Sequence, residues 1–114
     1  MPQIRNRTTL LLGTANANVI AGSAYEFVGR PSRVQVWVVG SAQGLIAQVQ
    51  FGPELQFELG TVPEEAAPDR GPLTDDVPLA DDIASAGDRI VVRVENPTAG
   101  NIDEEHIVRI TPVA

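Results

Sequence analysis

Residues 32–40 read SRVQVWVVG. Val34, Val36 and Val38 fall on one side of an extended chain, and Gln35, Trp37 and Val39 fall on the other. A period of two with β-branched residues predicts a strand, and Pro31 stands just before it, where a proline opens a strand without occupying its centre. The same period recurs in both directions from this segment. Residues 45–51 (LIAQVQF) put Leu45, Ala47, Val49 and Phe51 in phase. Residues 54–59 (ELQFEL) turn Leu55, Phe57 and Leu59 inward, with Gly52-Pro53 as a short hairpin-like turn between the two runs. Residues 88–95 (DRIVVRVE) align Ile90, Val92 and Val94, and the turn cluster Asn96-Pro97-Thr98-Ala99-Gly100-Asn101 closes them. Residues 104–111 (EEHIVRIT) align His106, Val108 and Ile110, and residues 8–12 and 24–28 add two further strands.

Helical spacing is not sustained over three turns anywhere. Residues 78–85 (PLADDIAS) are expected to form one helical turn at most. Residues 60–77 break the rhythm with Pro63, Pro68 and Pro72 among Glu64, Glu65, Asp69, Asp75 and Asp76, which predicts an exposed acidic loop. The expected fold is therefore all-β: a single β-sandwich of about seven or eight antiparallel strands, jelly-roll-like, over residues 1–114. Residues 1–12 serve in it as an N-terminal strand or arm. They read as a strand and not as a signal peptide, because three leucines are too short an apolar run.

The 114 residues suffice for one core without cross-links. That core is aliphatic, since Trp37, Tyr25, Phe27, Phe51 and Phe57 are the only aromatic residues. No cysteine is present, which excludes disulfides, thiol catalysis and thiolate metal sites. No lysine is present either, which excludes a Schiff base and a Walker-type lysine. No apolar run approaches the roughly 18–20 residues of a membrane-spanning helix, and no membrane partner is expected. The net charge is −7, and it is divided: residues 1–40 hold Arg5, Arg7, Arg30 and Arg33 against Glu26 alone, so the remainder is strongly acidic. Phosphate backbones repel such a domain, which argues against a nucleic-acid partner.

No catalytic, cofactor or metal constellation emerges. His106 is the one histidine, and alternation puts Glu104 on its face of the strand. No serine stands in a Gly-x-Ser-x-Gly elbow to complete a relay, so His106 is expected to be a strand residue paired with a carboxylate. The pairs Asp75-Asp76 and Asp81-Asp82 and the run Asp103-Glu104-Glu105 invite a calcium reading, but loop-type chelating spacing is missing and solvated acids are expected instead. Paired carboxylates for glycoside cleavage lack the aromatic cleft that sugars require.

Asn18–Phe27 (NVIAGSAYEF), followed by a valine strand, and Ala86–Gly100 (AGDRIVVRVENPTAG), followed by a final strand, resemble in layout the small β-sandwich, jelly-roll-like structural proteins of bacteriophage virions. The resemblance covers most of the chain. It implies a capsid, decoration or minor virion protein, located in the virion, with no cofactor and no catalytic residues to carry over. The short N-terminus departs from capsid proteins that hold the genome with a long arginine-rich arm, which argues against direct genome packaging. The expected function is non-enzymatic self-association and docking to other virion proteins. The alternative is a binding module for a carbohydrate or for a host or protein ligand. Strands apolar on both faces need a cover on the side away from the core, so Leu10, Leu12, Trp37 and Val39 are the candidate interface residues, joined by Arg5 and Arg7 as partners for an acidic neighbour.

Overall fold

A computed structural model of the chain describes residues 3–23, 26–64 and 77–113, with the side chain of Leu59 left undescribed. The described residues form eight strands: β1 (Gln3–Leu10), β2 (Thr14–Asn16), β3 (Ser32–Gly40), β4 (Ile46–Phe51), β5 (Glu54–Thr61), β6 (Ala80–Ala84), β7 (Ile90–Asn96) and β8 (Ile102–Pro112). They form two four-stranded sheets in the orders β1-β8-β3-β6 (sheet A) and β2-β7-β4-β5 (sheet B). Every ladder between named strands is antiparallel. The pairs β1·β8, β2·β7, β3·β6 and β4·β5 join the first strand to the last and then step inward. That nesting is a long antiparallel ribbon rolled into a sandwich, which is the jelly roll.

The alternation expected for β3 sets the inner face of sheet A. Val34, Val36 and Val38 are buried in the core, together with Ile102, Val108 and Ile110 of β8. Sheet B answers with Ala47, Val49 and Phe51 of β4 and Ile90, Val92 and Val94 of β7. Each valine, isoleucine or phenylalanine so buried contributes roughly 1.5–3 kcal/mol relative to exposure, and β-branched side chains pack with little rotamer loss on a pleated surface. The turn Gly52-Pro53 forms where expected. Gly52 has φ +57°, and a Cβ there would lie 2.6 Å from Asp88 Oδ1, so conformation and space both call for glycine.

Four expectations need correction. Residues 78–85 hold no helical turn, and none of the described residues is helical; Ala80–Ala84 is instead strand β6 on the edge of sheet A. Its alanines fit against Val36 and Ser32, and Asp81 finds Arg33 across the pair, tertiary gains that an isolated helical turn lacks. The first strand starts earlier than Thr8 and ends at Leu10, which leaves Leu11 and Leu12 in the turn to β2. Residues 26–28 form only an isolated bridge, Phe27 to Arg89, while Ala24 and Tyr25 lie outside the described residues. In β5, Leu55 is 46% exposed and Phe57 half-buried, because β5 is an edge strand whose register against β4 shifts twice. Of the acidic loop, Gly60 and Thr61 belong to β5, Val62 is buried and Glu64 bridges Gly40; residues 65–76 lie outside the described residues.

Candidate functional site

The outer face of sheet A gathers most of the residues expected at an interface. Register sets Arg5, Ile107 and Trp37 in one row across β1, β8 and β3, and Arg7, Glu105 and Val39 in the next. Trp37 is 2% exposed and Ile107 is fully buried, yet neither belongs to the core between the sheets. The Arg109 guanidinium lies over the Trp37 ring, 5.2 Å from its centroid, a cation–π contact. Arg109 Nε and Nη2 both donate to Gln35 Oε1 at 3.1 and 2.8 Å.

Charged pairs frame this apolar centre. Arg5 Nε donates to Glu105 Oε1 at 3.1 Å and Arg7 Nη1 to Glu105 Oε2 at 3.0 Å. Arg7 Nε also lies 3.6 Å from Asp103 Oδ2, and Thr9 Oγ1 donates to Asp103 Oδ1 at 2.6 Å. On the far side, Arg33 grips Asp81 with two bonds of 2.8 and 2.7 Å. Those bonds, more than any other influence, hold the Asp81 carboxyl below the usual carboxylate range. Exposed pairs of this kind add roughly 0–1 kcal/mol each to stability; their fixed geometry gives the face its pattern of alternating charge.

Of the expected interface residues, Arg5, Arg7, Trp37 and Val39 thus share one face, and Val39 is half-buried there. Leu10 does not join them. It points between the sheets and is buried in the core, because even-numbered residues of β1 face inward opposite Ile102 and Val108. Leu12 lies at the tip of the sandwich next to Leu11, 56% and 57% exposed, where the Leu12 N–H donates to Asn101 Oδ1 at 3.0 Å. Ile107, Gln35, Glu105 and Arg109 are not among the residues that the sequence places at an interface. Their odd-numbered phase on β3 and β8 was the available signal.

At the opposite end of β8, the exposed Phe27 adjoins a pocket of about 190 Å³ that is also lined by Arg30, Ile110 and Pro112. Arg30 has no ion-pair partner among the described residues. Nearby, Glu26 accepts from the Gly22 N–H and from Arg89 Nε at 2.8 and 2.6 Å, and these bonds lower its pKa, the Gly22 bond most.

Polar groups also enter the interior. Glu104 and His106 face inward from β8, both fully buried, with His106 Nδ1 3.0 Å from each Glu104 oxygen. The pairing matches the alternation of the strand. His106 Nε2 has no hydrogen-bond partner among the described residues. Asn18 and Asn96 do the work of missing backbone partners. Asn18 Nδ2 donates to the Ile90 carbonyl while its Oδ1 accepts from the Ile20 and Val92 N–H groups. Asn96 Nδ2 donates to the Leu10 and Gly100 carbonyls. Among the described residues no three His, Cys, Asp or Glu side chains converge on a common point; Asp75 and Asp76 lie outside them. No family model, no curated protein and no solved structure matches this chain.

Proposed function

We propose that the chain is a non-enzymatic structural protein of a virion, acting as a capsid, decoration or minor capsid component through self-association and docking onto a lattice of other virion proteins. The observation that carries this reading is the placement of apolar surface at both tips of a jelly roll. Leu11 and Leu12 stand exposed at one end, and Phe27 borders a pocket at the other. Exposed apolar groups at opposite ends suit contacts between copies or with flat neighbours in an array. The jelly roll is shared by many capsid proteins, which adds support by analogy of fold alone.

The test is mass in solution over a wide concentration range, together with co-sedimentation on purified phage particles. The full chain is expected to oligomerise or to bind particles. Leu11→Ser with Leu12→Ser is expected to weaken either behaviour at least about tenfold while leaving stability within about 0.5 kcal/mol, since both side chains are more than half exposed. A monomer at high concentration that binds no particle refutes the reading. A binding module for a carbohydrate or a host or protein ligand then takes its place. The pocket beside Phe27 favours that second reading, because the Arg30 guanidinium at its edge, with no ion-pair partner among the described residues, is available to an anionic or hydroxylated ligand.

A further inference from the structure

The two ends of the sandwich differ, and each supplies what the other lacks. β8 runs from Ile102 beside Leu10 at one end to Pro112 beside Ser32 at the other, roughly 33 Å away at about 3.3 Å per residue. The first end carries the Leu11-Leu12-Gly13 turn, with both leucines more than half exposed. The second carries the pocket of about 190 Å³, walled by the exposed Phe27 and by Val28, Ile110 and Pro112.

We propose that the two are hook and socket: the Leu11-Leu12 turn of one copy seats in the Phe27 pocket of the next, so that copies associate head to tail. The inference deepens the self-association reading above and rests on it.

Both parts are held in place before they meet. The Thr14 N–H and Oγ1 donate to the Leu11 carbonyl at 3.2 and 2.7 Å, and the Leu12 N–H donates to Asn101 Oδ1 at 3.0 Å. Those bonds fix the turn that leaves both leucines outside the core. Around the socket, the Val28 N–H donates to the Asp88 carbonyl at 2.9 Å and the Gly87 N–H to the Val28 carbonyl at 2.7 Å. The Val113 N–H donates to the Pro31 carbonyl at 3.1 Å, and Ser32 Oγ to the Arg30 carbonyl at 2.8 Å. A preformed hook and socket lose little freedom on binding, which spares the ordering cost of a loose loop. The size also fits: an apolar cavity of roughly 150 Å³ takes up benzene, which is larger than a leucine side chain.

Charge selects this pairing over the two symmetric ones. Arg30 is the one charged residue among those lining the pocket, and it has no ion-pair partner among the described residues. Of the acids near it, Glu26 is engaged by Arg89, and Asp88 accepts from the Ser85 N–H. At the hook end, residues 11–14, 40–46, 61–64 and 95–103 hold Glu64, Glu95 and Asp103 and not one basic residue. Arg7 and Arg93 lie 3.6 and 3.9 Å from Asp103 and Glu95, beyond hydrogen-bonding distance. Socket against socket would set Arg30 against Arg30, and hook against hook would crowd carboxylates together. Hook in socket brings unlike charges together, which fixes the direction of docking. Each such contact leaves one hook and one socket free, so association continues past the dimer.

The test mixes two full-length variants, each disabled at one end. Leu11→Ser with Leu12→Ser removes the hook and keeps the socket. Phe27→Ser with Arg30→Glu removes the socket and keeps the hook. All four side chains are exposed, so both variants are expected to keep the parental urea midpoint. In sedimentation velocity the parent is expected to pass through dimers to larger species as its concentration rises. Each variant alone is expected to associate at least about tenfold more weakly. Mixed in equal amounts, the two are expected to recover the parental affinity and to stop at one heterodimer, which has one intact contact and two dead ends. Arg30→Glu alone leaves the apolar contact in place and is expected to weaken association about tenfold by setting like charges together. A mixture that associates no better than its components, while the parent self-associates, overturns head-to-tail docking and leaves the self-association reading standing. A parent that stays monomeric at every concentration overturns it too, and co-sedimentation with particles then decides whether the lattice-docking reading survives.

Discussion

Replacing His106 and Glu104 singly and together tests whether they act as one unit in the core. Both side chains are fully buried and each gives the other its hydrogen-bonding partner, with His106 Nδ1 3.0 Å from both carboxyl oxygens. His106→Leu leaves Glu104 with no described partner. A buried polar group then loses its partner, and the loss is expected to be about 3–5 kcal/mol. Glu104→Leu leaves an imidazole with neither nitrogen bonded among the described residues, where Nε2 already lacks a partner, at a cost of about 1–3 kcal/mol. The double leucine variant has no buried polar group left to satisfy at these two positions and keeps similar volume. Its stability is expected within about 1 kcal/mol of the parent, or above it. The coupling energy of the cycle is therefore at least about 3 kcal/mol. Urea unfolding at neutral pH followed by tryptophan fluorescence measures all four proteins, with unchanged slopes as the check on two-state behaviour. A His106→Leu loss below about 1 kcal/mol, or a double variant as unstable as the sum of the singles, refutes the reasoning.

Other substitutions probe separate parts of the frame. Asn18→Ala strips the Ile90 carbonyl and the Val92 N–H of a buried partner and is expected to cost about 2–4 kcal/mol in urea unfolding, and Asn18→Asp, which keeps the acceptor for Val92 but sets a carboxylate oxygen against the Ile90 carbonyl, is expected to cost at least as much. Gly52→Ala forces a side chain into φ +57° against Asp88 and is expected to cost about 1–2 kcal/mol, read as a lowered unfolding midpoint. The carboxyls of Asp81 and Glu26 are held below their ordinary values, so their stabilising effect is complete above the normal carboxylate range and is lost as pH falls through the depressed values. Arg33→Gln and Arg89→Gln are accordingly expected to flatten the acid limb of a Tm-against-pH profile below about pH 4.

The fold was legible wherever the period of two ran uninterrupted. Val34-Val36-Val38, Leu45-Ala47-Val49-Phe51 and Ile90-Val92-Val94 all face the core as their spacing demands. A strand buried on one face writes its register into its own sequence. Edge strands do not. β6 has only Ala80 and Ala84 to bury, and β2 is three residues long, so neither carries a pattern strong enough to read without its partner. Strand order was legible only in outline. The nesting of β1·β8 around β2·β7 depends on contacts far apart in sequence, and Asn18 and Asn96 help fix it through single side chains that no periodicity reveals.

The outer face of sheet A shows where alternation misleads. Trp37 and Val39 of β3 were expected to need cover from a neighbour, yet Trp37, like Ile107 beside it on β8, is already buried within the chain. Long side chains explain part of this: the Arg109 stem and guanidinium lie over Trp37, and arginine covers apolar surface while keeping its charge solvated. An all-arginine basic set therefore has a structural use on this face, where a planar guanidinium stacks on an indole and forks onto Gln35 at once. The exposed apolar side chains that remain for contact, Leu11, Leu12 and Phe27, stand at the tips and not on this face. Around β3 the sandwich is closed on both faces, whereas β1 holds to it through one buried leucine, one ladder and a set of ion pairs. Asn96 of β7 donates to the Leu10 carbonyl where that ladder ends, so a single amide ties the end of β1 in sheet A to a strand of sheet B.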